Sequence, residues 1–198
     1  MKRGGRCSIF VDGAFFAACD IDVALQLGLR NGMEMTDALA DSLRAEDRRL
    51  TLRQKVYHFA TYKPRTVSQV RRKLEDLEAV PDEVEALLAW VSSFGIVDDA
   101  AYAVRYVQAA DERKPMSPAA LRRALRVKGI ADVHIDAALA GRTADDAVSA
   151  ARRVAEKKLR MLSATDTERR QKLVRFLQYR GYAWDVIRTI IDELAADR

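Results

Sequence analysis

The sequence predicts a mainly α-helical protein: tandem three-helix repeats forming an elongated array, with a small N-terminal module that contains a β-hairpin. Two observations predict the array. A hydrophobic register occurs three times: Leu74 is followed by Val80, Val84 and Leu87-Leu88, Leu125 by Ile130, Ile135 and Leu139, and Leu177 by Tyr182, Ile187 and Ile190-Ile191. The leading leucines stand 51 and then 52 residues apart, and the positions at +10 and +14 from each are always aliphatic. Helix starts and stops also recur at matching places in the three copies. The hairpin follows from Asp12-Gly13 between two short apolar segments, because a type I′ turn needs positive φ at both central residues. The organisation this predicts is an N-terminal module over residues 1–48 and three-helix repeats over 49–97, 98–141 and 142–198.

Paired about Asp12-Gly13, Ile9, Val11 and Phe16 share one face of the ribbon and Phe10 and Phe15 the other, so both faces are expected to be covered. The same pairing sets Cys7 against Ala18 and Cys19 against Arg6, with the two thiols on opposite faces. Free, buried or half-buried cysteines are therefore expected, and two are too few for a disulfide scaffold. Asp20 or Asp22 caps a short helix through Leu27 that Gly28 ends. Asn31-Gly32 turns the chain towards a short strand, Met33 to Met35. Thr36 caps a helix carrying Leu39 and Leu43, expected to break near Asp47–Arg49.

From Leu50 onward the pattern is helical. Leu52, Val56, Phe59 and Ala60 mark one face, and Pro64 stops that helix. Thr66-Val-Ser-Gln69 is a capping box. Pro81 opens the next helix, where its missing N–H costs nothing, and Gly95 ends it. The second repeat opens at Asp98, with Ala103, Tyr106, Val107 and Ala110 inward. Ser117-Pro118 starts its second helix and Gly129 stops it. The third opens at Thr143-Ala-Asp-Asp146, its second helix starts at Thr165-Asp-Thr-Glu168, and Gly181 closes that helix. Trp90, Trp184, Tyr102, Tyr106, Tyr179 and Tyr182 stand at helical spacing among aliphatic residues and are read as core.

The chain carries +5 net charge and a pI near 9.3. Residues 1–48 hold six Lys/Arg and eight Asp/Glu, a net −2; the remainder holds 28 and 21, a net +7. A basic helical array suits an acidic partner such as a nucleic acid or a nucleoprotein. No apolar run approaches the roughly 20 residues of a membrane span, and Met1–Phe10 lacks a signal-peptide pattern, so a cytoplasmic location is expected. Catalytic motifs are missing: His58 and His134 have no ligand-spaced partner, and neither a phosphate-cradling glycine loop nor a zinc or hydrolase signature occurs. Asp98-Asp99 and Asp145-Asp146 sit at helix starts, where capping explains them better than acid–base chemistry. The expectation is a non-enzymatic protein without cofactor or metal.

The candidate partner-binding residues are basic and follow the repeat. Arg71 and Arg72 stand on the second helix of the first copy, Arg122, Arg123, Arg126 and Lys128 on that of the second, and Arg175 and Arg180 on that of the third. Arg65 precedes the first cluster. Because Leu121 and Leu125 face inward, Arg122 and Arg126 share an outward stripe. The three clusters are expected to form one extended electropositive face.

Several blocks resemble the RecX family of recombination regulators. Tyr62-Lys-Pro-Arg65-Thr66 and Val70-Arg-Arg-Lys-Leu74 are similar to the start of the first family repeat. Gly95-Ile-Val-Asp98-Asp99-Ala-Ala-Tyr102-Ala103, preceded by Leu87-Leu-Ala-Trp-Val-Ser-Ser-Phe, resembles a family signature of glycine, aliphatic residue, aspartate pair, aromatic and alanine. Leu121-Arg-Arg-Ala-Leu125-Arg-Val-Lys128-Gly129-Ile130 resembles its second-repeat motif. The likeness covers about residues 50–198, and the Val11-Asp12-Gly13 hairpin looks like a module some members carry. Glu78-Ala79 stands where a glycine often closes the helix, and Met116-Ser117-Pro118 replaces a glycine-bearing approach. The resemblance implies a modulator that binds the RecA recombinase and its filament on DNA. It implies roles in homologous recombination, DNA repair and the SOS response, through inhibition of ATPase, strand-exchange and coprotease activities. No long heptad seam demands a dimer, so a monomer is expected. The competing expectation is a general DNA-binding helical repeat protein that does not act on RecA.

Overall fold

The computed structural model describes residues 5–162 and 166–196. Among these, a two-stranded antiparallel sheet is followed by ten helices. The chain divides into two compact units, Met1–Lys63 with Val70–Ile96, and Pro64–Gln69 with Val97–Arg198.

In the first unit, β1 (Arg6–Val11) and β2 (Ala14–Asp20) flank the Asp12-Gly13 turn, whose residues have φ of 50° and 80°. The register follows the two-residue turn through Val11↔Ala14 and Phe10↔Phe15, then slips by one, so that Ile9 pairs with Ala17, Cys7 with Cys19 and Arg6 with Asp20. A bulge at Phe16 is the cause: one extra residue in β2 lets consecutive Phe16 and Ala17 both turn towards the core. The predicted opposition of Cys7 to Ala18 and Cys19 to Arg6 is therefore wrong. The cysteines lie directly across from one another, with Sγ atoms 3.6 Å apart. Nor are both faces covered. Cys7, Ile9, Phe16 and Ala17 pack around buried Cys19, Val23 and Leu43. Phe10 and Phe15 stack edge-to-face at 5.9 Å and stay mostly exposed.

Asp20 caps α1 (Ile21–Gln26), accepting the Asp22 N–H at 3.0 Å. Met33–Met35 is irregular, not a strand. Thr36 caps α2 (Asp37–Tyr62), accepting from the Leu39 N–H at 3.3 Å. This helix runs through Asp47–Arg49 without the expected break, so the 48/49 boundary falls inside it. No glycine or proline interrupts it, and its polar side chains there are engaged by neighbours. Asp47 accepts from the Asp20 N–H at 2.8 Å and from Arg6 at 3.1 Å, while Arg48 donates to the Glu78 carbonyl at 2.5 Å. α2 thus serves two cores: Leu43 faces the hairpin, and Leu52, Val56 and Ala60 are buried further along. The helix α3 (Val67–Glu75) belongs to this unit from Val70 onward and buries Val70 and Leu74, and α4 (Pro81–Ser93) buries Val84, Leu87, Leu88 and Val91.

The second unit holds α5 (Asp99–Arg113), α6 (Pro118–Val127) and α7 (Asp132–Leu139), then α8 (Ala144–Arg160), α9 (Asp166–Tyr179) and α10 (Trp184–Ala196). The first trio closes over Ala103, Val107, Leu121, Leu125, Ile130, Ile135 and Leu139. The second trio buries Ala151, Leu173, Leu177, Tyr182, Ile187 and Ile190. Asp98, Ser117 and Thr143 cap their helices as expected, Thr143 and Asp146 forming a reciprocal box. The cap predicted at Thr165 lies outside the described residues.

The recurring register has a direct physical meaning. Leu74, Leu125 and Leu177 are fully buried, as are Ile135 and Ile187 at +10, and the +14 residues Leu88, Leu139 and Ile191 are no more than 8% exposed. Each leading leucine also accepts the N–H five residues on, from Ala79 (3.0 Å), Ile130 (3.2 Å) and Tyr182 (3.1 Å). The residue before each donor has positive φ: Glu78, Gly129 and Gly181. That is a left-handed helix exit, closing otherwise orphaned carbonyls. Val80, expected in the buried set, is instead an exposed N-cap, and Ala79 takes the matching place. Trp184 and Tyr179, read as core, are 62% and 79% exposed. Trp184 begins α10 ahead of the packed turn, and Tyr179 lies on the outer side of α9.

Candidate partner-binding surface

The second helix of each repeat carries the candidate cations, so its mooring decides where they point. Thr66, fully buried, accepts the Gln69 N–H at 3.2 Å and donates its hydroxyl to the Lys128 carbonyl at 2.8 Å. Its own N–H goes to the Gln69 amide oxygen at 3.3 Å, completing the predicted box. Asp99 accepts the Val67 N–H at 2.9 Å. Thus Asp99 caps α3, while Asp98 caps its own helix. Burial raises the Asp99 carboxyl above its ordinary value, and the Val67 hydrogen bond opposes that shift.

The same arrangement recurs one repeat later. Ser117 caps α6 and donates its N–H to the Arg180 carbonyl at 3.3 Å. Gly129, just after Lys128, lies against Ser68; Gly181, just after Arg180, lies against Ala120 and Ser117. A Cβ on Gly129 would fall 2.3 Å from the Ser68 Cβ, and one on Gly181 would fall 2.7 Å from the Ala120 Cβ. The C-terminus of one second helix therefore seats on the N-terminus of another, through a hydroxyl-bearing cap and a glycine. Thr66 and Ser117 share one repeat register, as do Gly129 and Gly181; that spacing was the available sequence signal for the contact.

The candidate cations fall into two groups. Lys128 holds its ammonium 5.5 Å from the centre of the Tyr106 ring and 6.0 Å from that of Tyr102. Arg180 donates to the Pro115 carbonyl at 3.0 Å and stands 5.0 Å over the Phe176 ring. Arg65 is half-buried and engaged within the chain. Arg71 pairs with Glu85, Arg122 with Asp136, and Arg126 with Asp132 through two bonds of 2.7 and 3.0 Å. Hydrogen bonding from Arg71 holds the Glu85 carboxyl below its ordinary value, and Arg126 does the same to Asp132. The first two pairs join residues 14 positions apart in sequence, a recurrence readable from spacing but absent from the composition argument. In the third copy Val174 and Arg188 stand at those positions, and Arg188 turns to Asp192 at 3.7 Å.

Arg72, Arg123 and Arg175 make up the other group. Each lies two residues before the buried leucine of its helix, and each is exposed. Among the described residues none of the three guanidinium groups has a hydrogen bond or ion pair within the chain. No group of three His, Cys, Asp or Glu side chains among the described residues is placed to hold a metal ion. No described helix is long and apolar enough to cross a membrane.

Three-helix units with one uncommitted arginine at a fixed place define a tandem helical-repeat protein with a recurring surface. Residues 98–139 match the family description "RecX, second three-helix domain", and residues 144–191 match "RecX, third three-helix domain". The "Regulatory protein RecX" of Leuconostoc citreum is 29% identical over 99% of this chain and 74% of that protein. That of Levilactobacillus brevis is 32% identical over 79% of this chain and 59% of its own length. A crystal structure of regulatory protein RecX superposes with a TM-score of 0.71 at 27% identity, covering 97% of this chain and 95% of the other. The chain belongs to the RecX family.

Proposed function

We propose that this chain is a non-enzymatic regulator that binds the RecA recombinase and its filament on DNA and restrains RecA's ATPase, strand-exchange and coprotease activities. Family membership supports the regulatory role, and the relatives are named regulatory proteins. The observation that carries the surface assignment is the recurrence of Arg72, Arg123 and Arg175 at one register position, exposed and without an acidic partner among the described residues. A guanidinium that is not already paired can form a bidentate contact with a carboxylate or phosphate without first breaking one. Each such contact is weak at an exposed site, but contacts on linked units reinforce each other through effective concentration.

Arg71, Arg122 and Arg126 form a second tier. Their pairs are exposed and screened by solvent, so exchange for a partner's acid costs little and gains little. Lys128, Arg180 and Arg65 serve the partner indirectly, by fixing how the helices sit. The test is RecA's DNA-dependent ATPase titrated with wild-type protein and with Arg72→Glu/Arg123→Glu/Arg175→Glu. The expected result is inhibition by wild type and about a tenfold or greater loss of potency in the triple variant, following the compounding of linked weak contacts, with the helical circular dichroism unchanged. Undiminished inhibition by a folded triple variant removes this surface. Equal binding to naked DNA and to the filament, falling steeply with salt, would replace RecA regulation by general phosphate binding.

A further inference from the structure

The hairpin bulge places two thiols where neither the helical repeats nor the arginine surface requires them. Cys7 and Cys19 occupy directly opposed positions on β1 and β2, and their sulfur atoms are 3.6 Å apart. Opposed residues of an antiparallel pair have Cα atoms about 4.5–5.5 Å apart, inside the ~4.4–6.8 Å range that a disulfide spans. Both are free thiols, Cys7 half-buried and Cys19 1% exposed. Cys19 also lines a cavity of about 430 Å³ bordered by Arg6, Arg44, Asp47 and Arg48. Ordinary core packing would be served by alanine, as at neighbouring Ala17; it does not call for two sulfur atoms in contact.

We propose that Cys7 and Cys19 form a dithiol–disulfide couple that low-molecular-weight disulfides of the glutathione class oxidise within one chain. Cys7 loses a proton and its thiolate attacks one sulfur of the small disulfide. The Cys7–sulfur bond forms, the small molecule's S–S bond breaks, and one thiol leaves. Cys19 then gives up its proton and attacks the Cys7 sulfur. The protein disulfide forms, the mixed disulfide breaks, and a second small thiol leaves. Two protein thiols are thereby oxidised and one small disulfide is reduced to two thiols. The order follows from the surroundings. Burial, reinforced by the neighbouring Cys7 thiol and Asp47, pushes the Cys19 thiol up to about 11, so it is scarce as thiolate, whereas Cys7 is the thiol that solvent reaches. Once Cys7 is derivatised, Cys19 is already at reacting distance, and the second step is intramolecular. A reducing compartment keeps such a pair as thiols, and oxidative load closes it.

The test uses the full chain without any partner, so its outcome is independent of the proposed RecA function. The protein is equilibrated anaerobically across a series of oxidised-to-reduced glutathione ratios, quenched in acid, alkylated with N-ethylmaleimide and weighed intact. The expected product is a monomer that has lost the mass of two hydrogens and both alkylatable thiols together. It should revert with reductant, and peptide mapping should place the link between Cys7 and Cys19. Cys19→Ser should instead retain a single glutathione at Cys7. If that variant does not fold, the wild-type series decides alone. Two thiols that alkylate at every ratio, a stable wild-type glutathione adduct, or a disulfide only between chains would each overturn the proposal.

Discussion

The exits of α3 and α6 occupy the same place in the repeat, and both leave the helix through positive φ, at Glu78 (58°) and Gly129 (80°). Their surroundings differ. Glu78 is exposed, with its side chain in solvent and its carbonyl taken by Arg48. Gly129 has Ser68 where a Cβ would go. A left-handed residue with a side chain costs about 1–2 kcal/mol, which a protein can absorb. Two carbon atoms at 2.3 Å cannot coexist. The glycine at an exit is therefore a convenience where it faces water and a requirement where it faces another helix.

That contrast can be broken at several points. Gly129→Ala should have the largest effect, because left-handed strain and overpacking act together; a loss of about 3 kcal/mol or more is expected in urea unfolding. Gly141→Ala is the control: it shares the conformation (φ 78°) with nothing near its absent Cβ, and should lose about 1–2 kcal/mol. Equal losses in the two variants would mean that backbone conformation alone explains Gly129. Next comes Thr66→Ala, which removes a cap and leaves the Lys128 carbonyl without its donor, at about 2 kcal/mol. Thr66→Ser should recover most of that. Smallest is Glu78→Gly, expected to raise stability by about 0.5–1 kcal/mol as the strained exit relaxes; a loss there would show that the Glu78 side chain contributes something more.

Asp99 sharpens the comparison through pH. Its folded-state carboxyl is raised above the ordinary value, chiefly by burial. A group raised on folding favours the folded state most when protonated, and that contribution fades as pH rises through the folded value. Asp99→Asn keeps an acceptor for the Val67 N–H and removes the buried charge. Its stability at neutral pH should equal or exceed that of wild type, and the difference should shrink as pH falls through the carboxylate range. A variant weaker than wild type at pH 7 but not at pH 4 would show that the Val67 bond, not desolvation, dominates.

The helical repeats were largely legible because their cause is local. Leu74, Leu125 and Leu177 must face inward if the aliphatic residues at +10 and +14 do, and caps such as Ser117 and Thr143 act within four residues of themselves. The hairpin was half legible. Asp12-Gly13 set the turn and the first two pairs, but the bulge at Phe16 depends on which aromatic the core accepts, and the register beyond it moved with that choice. The continuity of α2 was hidden for a similar reason: Asp47 and Arg48 look like a polar interruption until Arg6, Asp20 and Glu78 are placed around them. At the surface, charge and periodicity located the basic helices but not which arginines were already paired.

By itself, the sequence determined the repeat period, the helix starts and exits, the buried leucine ladder and the excess of cations on the second helices. All of these come from interactions spanning a few residues, or from a periodicity that any helix imposes. Tertiary structure alone decided that Cys7 meets Cys19 and that Gly129 lies on Ser68. It also decided that Arg122 is paired with Asp136 while the Arg123 side chain has no partner among the described residues. These are outcomes of distance between parts of the chain remote in sequence, where a one-residue slip or a neighbouring acid reverses the result.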